Sequence, residues 1–173
     1  MPSSYRAPMR QDKLSDRTYS QSEASNMTSE QTVVAKLLDT KGGTVFSIGP
    51  DQTLGRAVEV LRDRRIGALV VTDEAGGLLG ILSERDIVRK LADTPGKTLP
   101  QLVRDVMTPK VETCTSREPL IDVLRRMTAG RFRHMPVVED GALVGMVTIG
   151  DVVNYRLTEL EHETLQLKQL IVG

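Results

Sequence analysis

The chain carries two copies of one pattern, and this duplication limits its fold more than any other feature. The first copy spans Val45 to Arg89 and the second Val111 to Asn154. At an offset of 66 residues, Leu54, Val58 and Leu61 fall on Leu120, Leu124 and Met127, and Val71 falls on Val137. Beyond one loop the offset becomes 65, and Gly80 to Asp86 falls on Gly145 to Asp151. A repeat of this kind reads as a supersecondary unit that cannot bury its apolar face alone and packs against its twin. A ligand site at the seam would then exist in two related, non-identical versions.

Each copy reads in the same order. An extended piece, Val45 to Ile48, precedes the turn Pro50-Asp51-Gln52-Thr53 and a helix with Leu54, Val58 and Leu61 as its core-facing stripe. Ala68 to Val71 and Leu78 to Leu82 read as a hairpin across the turn-rich Asp73 to Gly77, and Ser83 opens a further helix through Leu91. In the second copy Glu139-Asp140-Gly141 is a tighter turn, which accounts for the change in offset. Pro136 stands where the first copy has Val70, so that strand should begin there or lie at a sheet edge.

The domain organisation follows. Residues 1–29 lack periodicity and read as a disordered tail, with Met27 an alternative start to Met1. Residues 30–92 form the first repeat, whose lead-in, Thr32 to Asp39, sets Val33, Val34, Leu37 and Leu38 on one helix face. Residues 93–110 are a linker in which Leu99 to Met107 could form a short helix. Residues 111–157 form the second repeat and 158–173 a C-terminal helix. Val153, Leu157, Leu160, Thr164, Leu167 and Ile171 alternate spacings of four and three, an a/d pattern. That stripe either packs on its own domain or contributes to a dimer.

Composition narrows the function. Lys+Arg and Asp+Glu both number 23, so no net charge attracts a polyanion, and nucleic-acid binding is not expected. Cys114 is the only cysteine, which excludes an intrachain disulfide and a thiolate metal cluster and points to the cytoplasm. With two histidines, a catalytic zinc site is not expected. No apolar run approaches the ~18 residues that cross a bilayer.

The chemistry lies in Ser83-x-x-Asp86 and Thr148-x-x-Asp151. A hydroxyl followed three residues later by an acid at a helix start resembles a capping box. The same geometry suits a nucleotide, because free N–H groups favour phosphate and a carboxylate accepts from a ribose diol. Spacing alone does not separate the two. Arg131, Arg133 and His134 could meet a phosphate or be surface charges with a packed histidine, and Lys41 could be a helix C-terminal charge or a phosphate contact. Arg85 stands where the second copy has Gly150, so it would serve one site only.

The element order and the doubled Gly-x-x-Ser/Thr-x-x-Asp resemble a pair of CBS domains, the Bateman module. The stretches Lys41-Gly42, Ile66 to Val71, Ser83 to Ile87, Val106-Met107-Thr108 and Arg133 to Val138 are similar to stand-alone bacterial two-CBS proteins. The resemblance implies an α/β (α+β) fold of two βαββα repeats about a pseudo-twofold axis, with two clefts for an adenosine ligand: AMP, ADP, ATP, NAD(H) or S-adenosylmethionine. By that resemblance Asp86 and Asp151 would hold ribose hydroxyls, and Ser83 and Thr148 would meet ribose or phosphate. Ile66, Gly67, Ala68 and Leu69, with Phe132, Arg133, His134 and Met135 opposite and Pro136 beyond, would line the purine pocket.

The function expected is a non-enzymatic sensor acting on a separate effector protein, most readily as a homodimer. A dimerisation module with empty clefts is the alternative. An enzyme such as inosine monophosphate dehydrogenase would need a barrel of about 250 residues for which this chain has no room.

Overall fold

The structure, a computed structural model, describes residues 32–172. The tail assigned to residues 1–29 and the alternative start at Met27 lie outside the described residues. The elements run α1 (Val34–Lys41), β1 (Ser47–Ile48), α2 (Leu54–Arg64), β2 (Ala68–Thr72), β3 (Leu78–Ser83) and α3 (Glu84–Asp93). A single 3₁₀ turn (Val103–Asp105) precedes α4 (Leu120–Gly130), β4 (His134–Glu139), β5 (Ala142–Thr148) and α5 (Ile149–Val172). The fold is mixed α/β, as the duplication implies.

Local rules act twice, at matched positions. Helix α2 closes on Arg65 and α4 on Arg131, both in the left-handed region (φ 54° and 57°). Each hairpin shifts register after one core valine, Val71 opposite Gly80 and Val137 opposite Gly145. The second hairpin turns on Asp140 and Gly141, both with positive φ, as a two-residue connection between right-twisted strands requires. In the first hairpin β2 also pairs in parallel with β1; in the second, the equivalent strand is reduced to one bridge between Cys114 and Val137.

Two apolar cores result, one under each hairpin. The first gathers Leu54, Ala57, Leu61, Leu69, Leu82 and Ile87, and the second gathers Leu120, Val123, Met127, Met135, Val147 and Val152. Val58, read as core-facing, is exposed at 37%, and Ala57 takes the inward place. Inward positions thus follow i, i+3, i+7.

The pieces that complete each core come from elsewhere in the chain. Val34 and Leu37 of α1 belong to the second core, and Val103 of the linker to the first. The docking is equivalent. Val34 N–H donates to Glu118 O and Leu120 N–H to Thr32 O, just as Val103 N–H donates to Gln52 O and Leu54 N–H to Gln101 O. Residues 99–107, expected as a short helix, form only one 3₁₀ turn: the amides of Val103 and Arg104 donate to Gln52 and Pro50, Asp105 N–H to Leu102 O and Val106 N–H to Val103 O, and the chain then leaves by pairing Thr108 N–H with Ile81 O.

Pro136 does not open its strand, which begins at His134; the edge reading is the one that holds. Its carbonyl faces Cys114 N–H (3.0 Å), on the side away from β5, so the hairpin loses no donor to the proline ring. Helix α5 runs unbroken through position 157. Its inward face is Val152, Tyr155 and Glu159, the last accepting from Thr32 Oγ1. The a/d stripe does not pack on its own domain: Val153, Leu157, Leu160, Leu167 and Ile171 are 43–83% exposed.

Candidate functional site

Each hairpin delivers its chain into a helix start at the seam between the repeats. Glu84 N–H donates to Gly67 O (3.0 Å) and Ile149 N–H to Arg133 O (3.1 Å), which ties each helix to the entry of its own hairpin. Ser83 caps α3: Asp86 Oδ2 accepts from Ser83 N–H (2.9 Å) and from Ser83 Oγ–H (2.6 Å). In the second copy Thr148 N–H donates to Asp151 Oδ2 (2.9 Å), and Asp151 N–H donates to Thr148 Oγ1 (3.1 Å). The capping reading of the doubled motif is therefore correct in both copies. It leaves each carboxylate at the seam with a second oxygen available to a ligand.

The two acids differ in surroundings. Lys41 Nζ donates to Asp151 Oδ2 and to Met146 O (2.8 Å), so the end of α1 closes over the second helix start. Burial works to raise the Asp151 pKa, but the hydrogen bonds from Lys41 and Thr148, with the Lys41 charge, outweigh it and hold the carboxyl below its ordinary range. Asp86 draws its hydrogen bonds from Ser83 alone among the described residues and opens to a cleft.

That cleft, about 930 Å³, draws on both repeats. It brings together Gly67, Ser83, Arg85 and Asp86 of the first with Arg131, Arg133, His134 and Thr148 of the second. Arg85 crosses the seam and donates from Nη1 to Arg131 O (3.0 Å). The His134 ring lies against Gly67, where a Cβ would sit 3.5 Å from its Cε1 and Nε2. Burial lowers the His134 pKa; the charges of Asp151 and Glu84 act the other way, and those of Lys41 and Arg133 add to the lowering.

Other predicted residues stand apart from this cleft. Ala68, Leu69, Met135 and Pro136 are buried in the strands, so only their backbone could face a ligand, and Ile66 packs against the first core. Lys41 and Asp151 do not line this cleft, although Thr148, bonded to Asp151, does. The glycines before each motif serve chain packing rather than ligand approach. A Cβ at Gly80 would lie 2.8 Å from Thr108 O, and one at Gly145 would lie 2.8 Å from the Leu38 side chain.

Sequence reading missed Arg89, Thr108 and Lys110, which also line the cleft. A signal for Lys110 was present. Val33-Val34 and Leu37-Leu38 recur as Leu102-Val103 and Val106-Met107 at an offset of 69, and that offset carries Lys41 onto Lys110. Among the described residues no cluster of His, Cys, Asp or Glu is placed to hold a metal ion, and no helix is long and apolar enough to cross a membrane.

Comparison with known proteins agrees with this architecture. The CBS domain family matches residues 40–93 and 103–158. The crystal structure of the CBS-domain containing protein ATU1752 from Agrobacterium tumefaciens superposes with a TM-score of 0.71 at 45% identity, over 72% of this chain and 99% of that one. The CBS domain pair of protein MJ0100, solved with 5′-methylthioadenosine and S-adenosyl-L-methionine, is 27% identical over 74% of this chain and 98% of its own, with a TM-score of 0.66. CBSX2, solved in complex with AMP, is 25% identical over 73% and 97% of the two chains, with a TM-score of 0.63.

Proposed function

The chain belongs to the CBS-domain family as a tandem pair, and on that premise we propose that it is a non-enzymatic regulatory module that binds an adenosine nucleotide at the seam. The observation that carries this reading is the cleft in which the Ser83–Asp86 helix start, with Arg85 on its first turn, faces Arg131 and Arg133 across the seam. A carboxylate suited to a ribose diol then lies opposite guanidinium groups suited to phosphate. The backbone at Gly67, Ala68 and Leu69 reads the base edge, Ser83 meets ribose or phosphate, and Lys110 joins the phosphate contacts. AMP, ATP and NAD(H) share this chemistry and differ in the phosphates they present.

A second site then forms at Asp151, sharing Thr148 and His134 with the first cleft and using the backbone at Met135 and Pro136. There Lys41 leaves Asp151 for the ligand's phosphate, so occupancy of this site moves the end of α1. The module works as a homodimer in a reducing compartment such as the cytoplasm, and it passes the signal to an effector protein in trans. The buried free thiol of Cys114 supports the compartment. A ligand shifts such a module only through different affinities for its two conformations.

The satisfied caps on both acids favour one competing reading, a dimerisation module with empty clefts. Thermal unfolding against AMP, ADP, ATP, NAD, NADH and S-adenosylmethionine separates the two. A ligand at 100 times its dissociation constant adds about 2.7 kcal/mol, which shifts the midpoint by several degrees. The sensor reading requires the shift to disappear in Asp86→Ala or Asp151→Ala, each compared with its own unliganded midpoint. No shift with any of the six leaves the dimerisation module.

A further inference from the structure

We infer that the projecting part of α5 pairs with the same helix of a second copy, as a parallel, in-register, two-stranded coiled coil. This rests on the homodimer reading above and not on which nucleotide is bound. From Leu160 to Ile171 every residue of α5 is exposed. A solvated helical segment of this length is marginal in water without a partner. Most of its exposed apolar residues are also ordered for one: Val153, Leu160 and Leu167 at d, with Leu157 and Ile171 at a around the polar Thr164, while Leu165 and Leu170 lie off the stripe.

At 3.6 residues per turn this stripe lies about 125° around the helix from the inward face of Val152, Tyr155 and Glu159. Helix α5 can therefore hold its own domain and a second copy together. The stripe adds a helix–helix seam about 36 Å long at most.

Charge fixes the orientation. In a parallel pair each g position faces the following e position of the partner. Here that sets Arg156 against Glu161 and Glu163 against Lys168, opposite in sign both times and repeated by the twofold. In the antiparallel register with the greatest overlap, Glu161 and Glu163 would each face their own copies.

The test is sedimentation equilibrium of the full chain. The wild type should be a dimer. Leu160→Glu with Leu167→Glu, both at exposed positions, should give folded monomer by circular dichroism. Glu163→Lys should weaken the dimer about tenfold, and adding Lys168→Glu should restore it. A thiol introduced by Thr164→Cys should form a disulfide-linked dimer on mild oxidation. A monomeric wild type, a dimer constant unmoved by the leucine pair, or a double charge reversal that fails to restore association overturns the proposal. Nucleotide-induced thermal shifts on the same variants report on the clefts alone, so failure of the sensor reading is told apart from failure of the helix pairing.

Discussion

Lys41 is ion-paired with Asp151, and the equivalent lysine of the other copy, Lys110, lines the Asp86 cleft without such a pair. The duplicated halves thus carry the same two charges in different states. One acid is latched by its lysine and the other faces open space.

The open side should fill first. In a calorimetric titration with AMP, Asp86→Ala should remove the tighter binding event, whereas Asp151→Ala should leave it and remove the weaker one. Equal loss in both variants would mean that the latch has no influence on affinity.

Lys110→Ala should weaken AMP binding about tenfold while adenosine, which lacks the phosphate, binds as to wild type. The side chain is exposed, so the unliganded unfolding midpoint should not move. An equal loss for AMP and adenosine would remove Lys110 from the phosphate contacts.

Stability should fall on the acid side through His134. Its folded pKa lies below the ordinary 6.5, because burial disfavours the charged ring. Above 6.5 both states are neutral and the group contributes nothing to the slope. As pH falls from there toward the folded value, the unfolded chain binds the extra proton and stability drops. His134→Gln should flatten that slope in urea midpoints taken from about pH 7.5 to about pH 5.

The paired glycines should respond unequally. Alanine at Gly80 meets the backbone oxygen of Thr108, which is fixed by reciprocal bonds with Ile81, so Gly80→Ala should cost about 1–3 kcal/mol. Alanine at Gly145 meets only the branched end of Leu38, which can rotate, and should cost less. Chemical denaturation of the two variants gives the order directly.

Much of this molecule was legible in the sequence because the repeat tests itself. The caps at Ser83 and Thr148, the buried strand Ala68–Val71 and the tight turn at Asp140-Gly141 each rest on short-range rules applied at matched positions. What escaped depends on distance in space. Ala57 outranks Val58 because the rotation of α2 against its sheet turns position 57 inward, which bulk hydrophobicity along one helix does not encode. The linker's 3₁₀ turn is anchored on carbonyls some fifty residues upstream, at Gln52 and Pro50. The cleft itself was only half visible. Asp86, Arg85, Arg131 and Arg133 sit in motifs, whereas Lys110 emerges only when the lead-in of one copy is aligned with the linker of the other.

The exchange of α1 onto the second repeat orders events during synthesis. The first repeat receives Val103 shortly after its own strands are made, so its core closes while the ribosome is still working. Helix α1 leaves the ribosome before either hairpin, yet Val34 and Leu37 belong to a core whose other members run from Cys114 to Val152. Contacts between residues so far apart in sequence are the slow ones to form. An apolar strip made early and covered late is also the one most open to chaperones and proteases during synthesis.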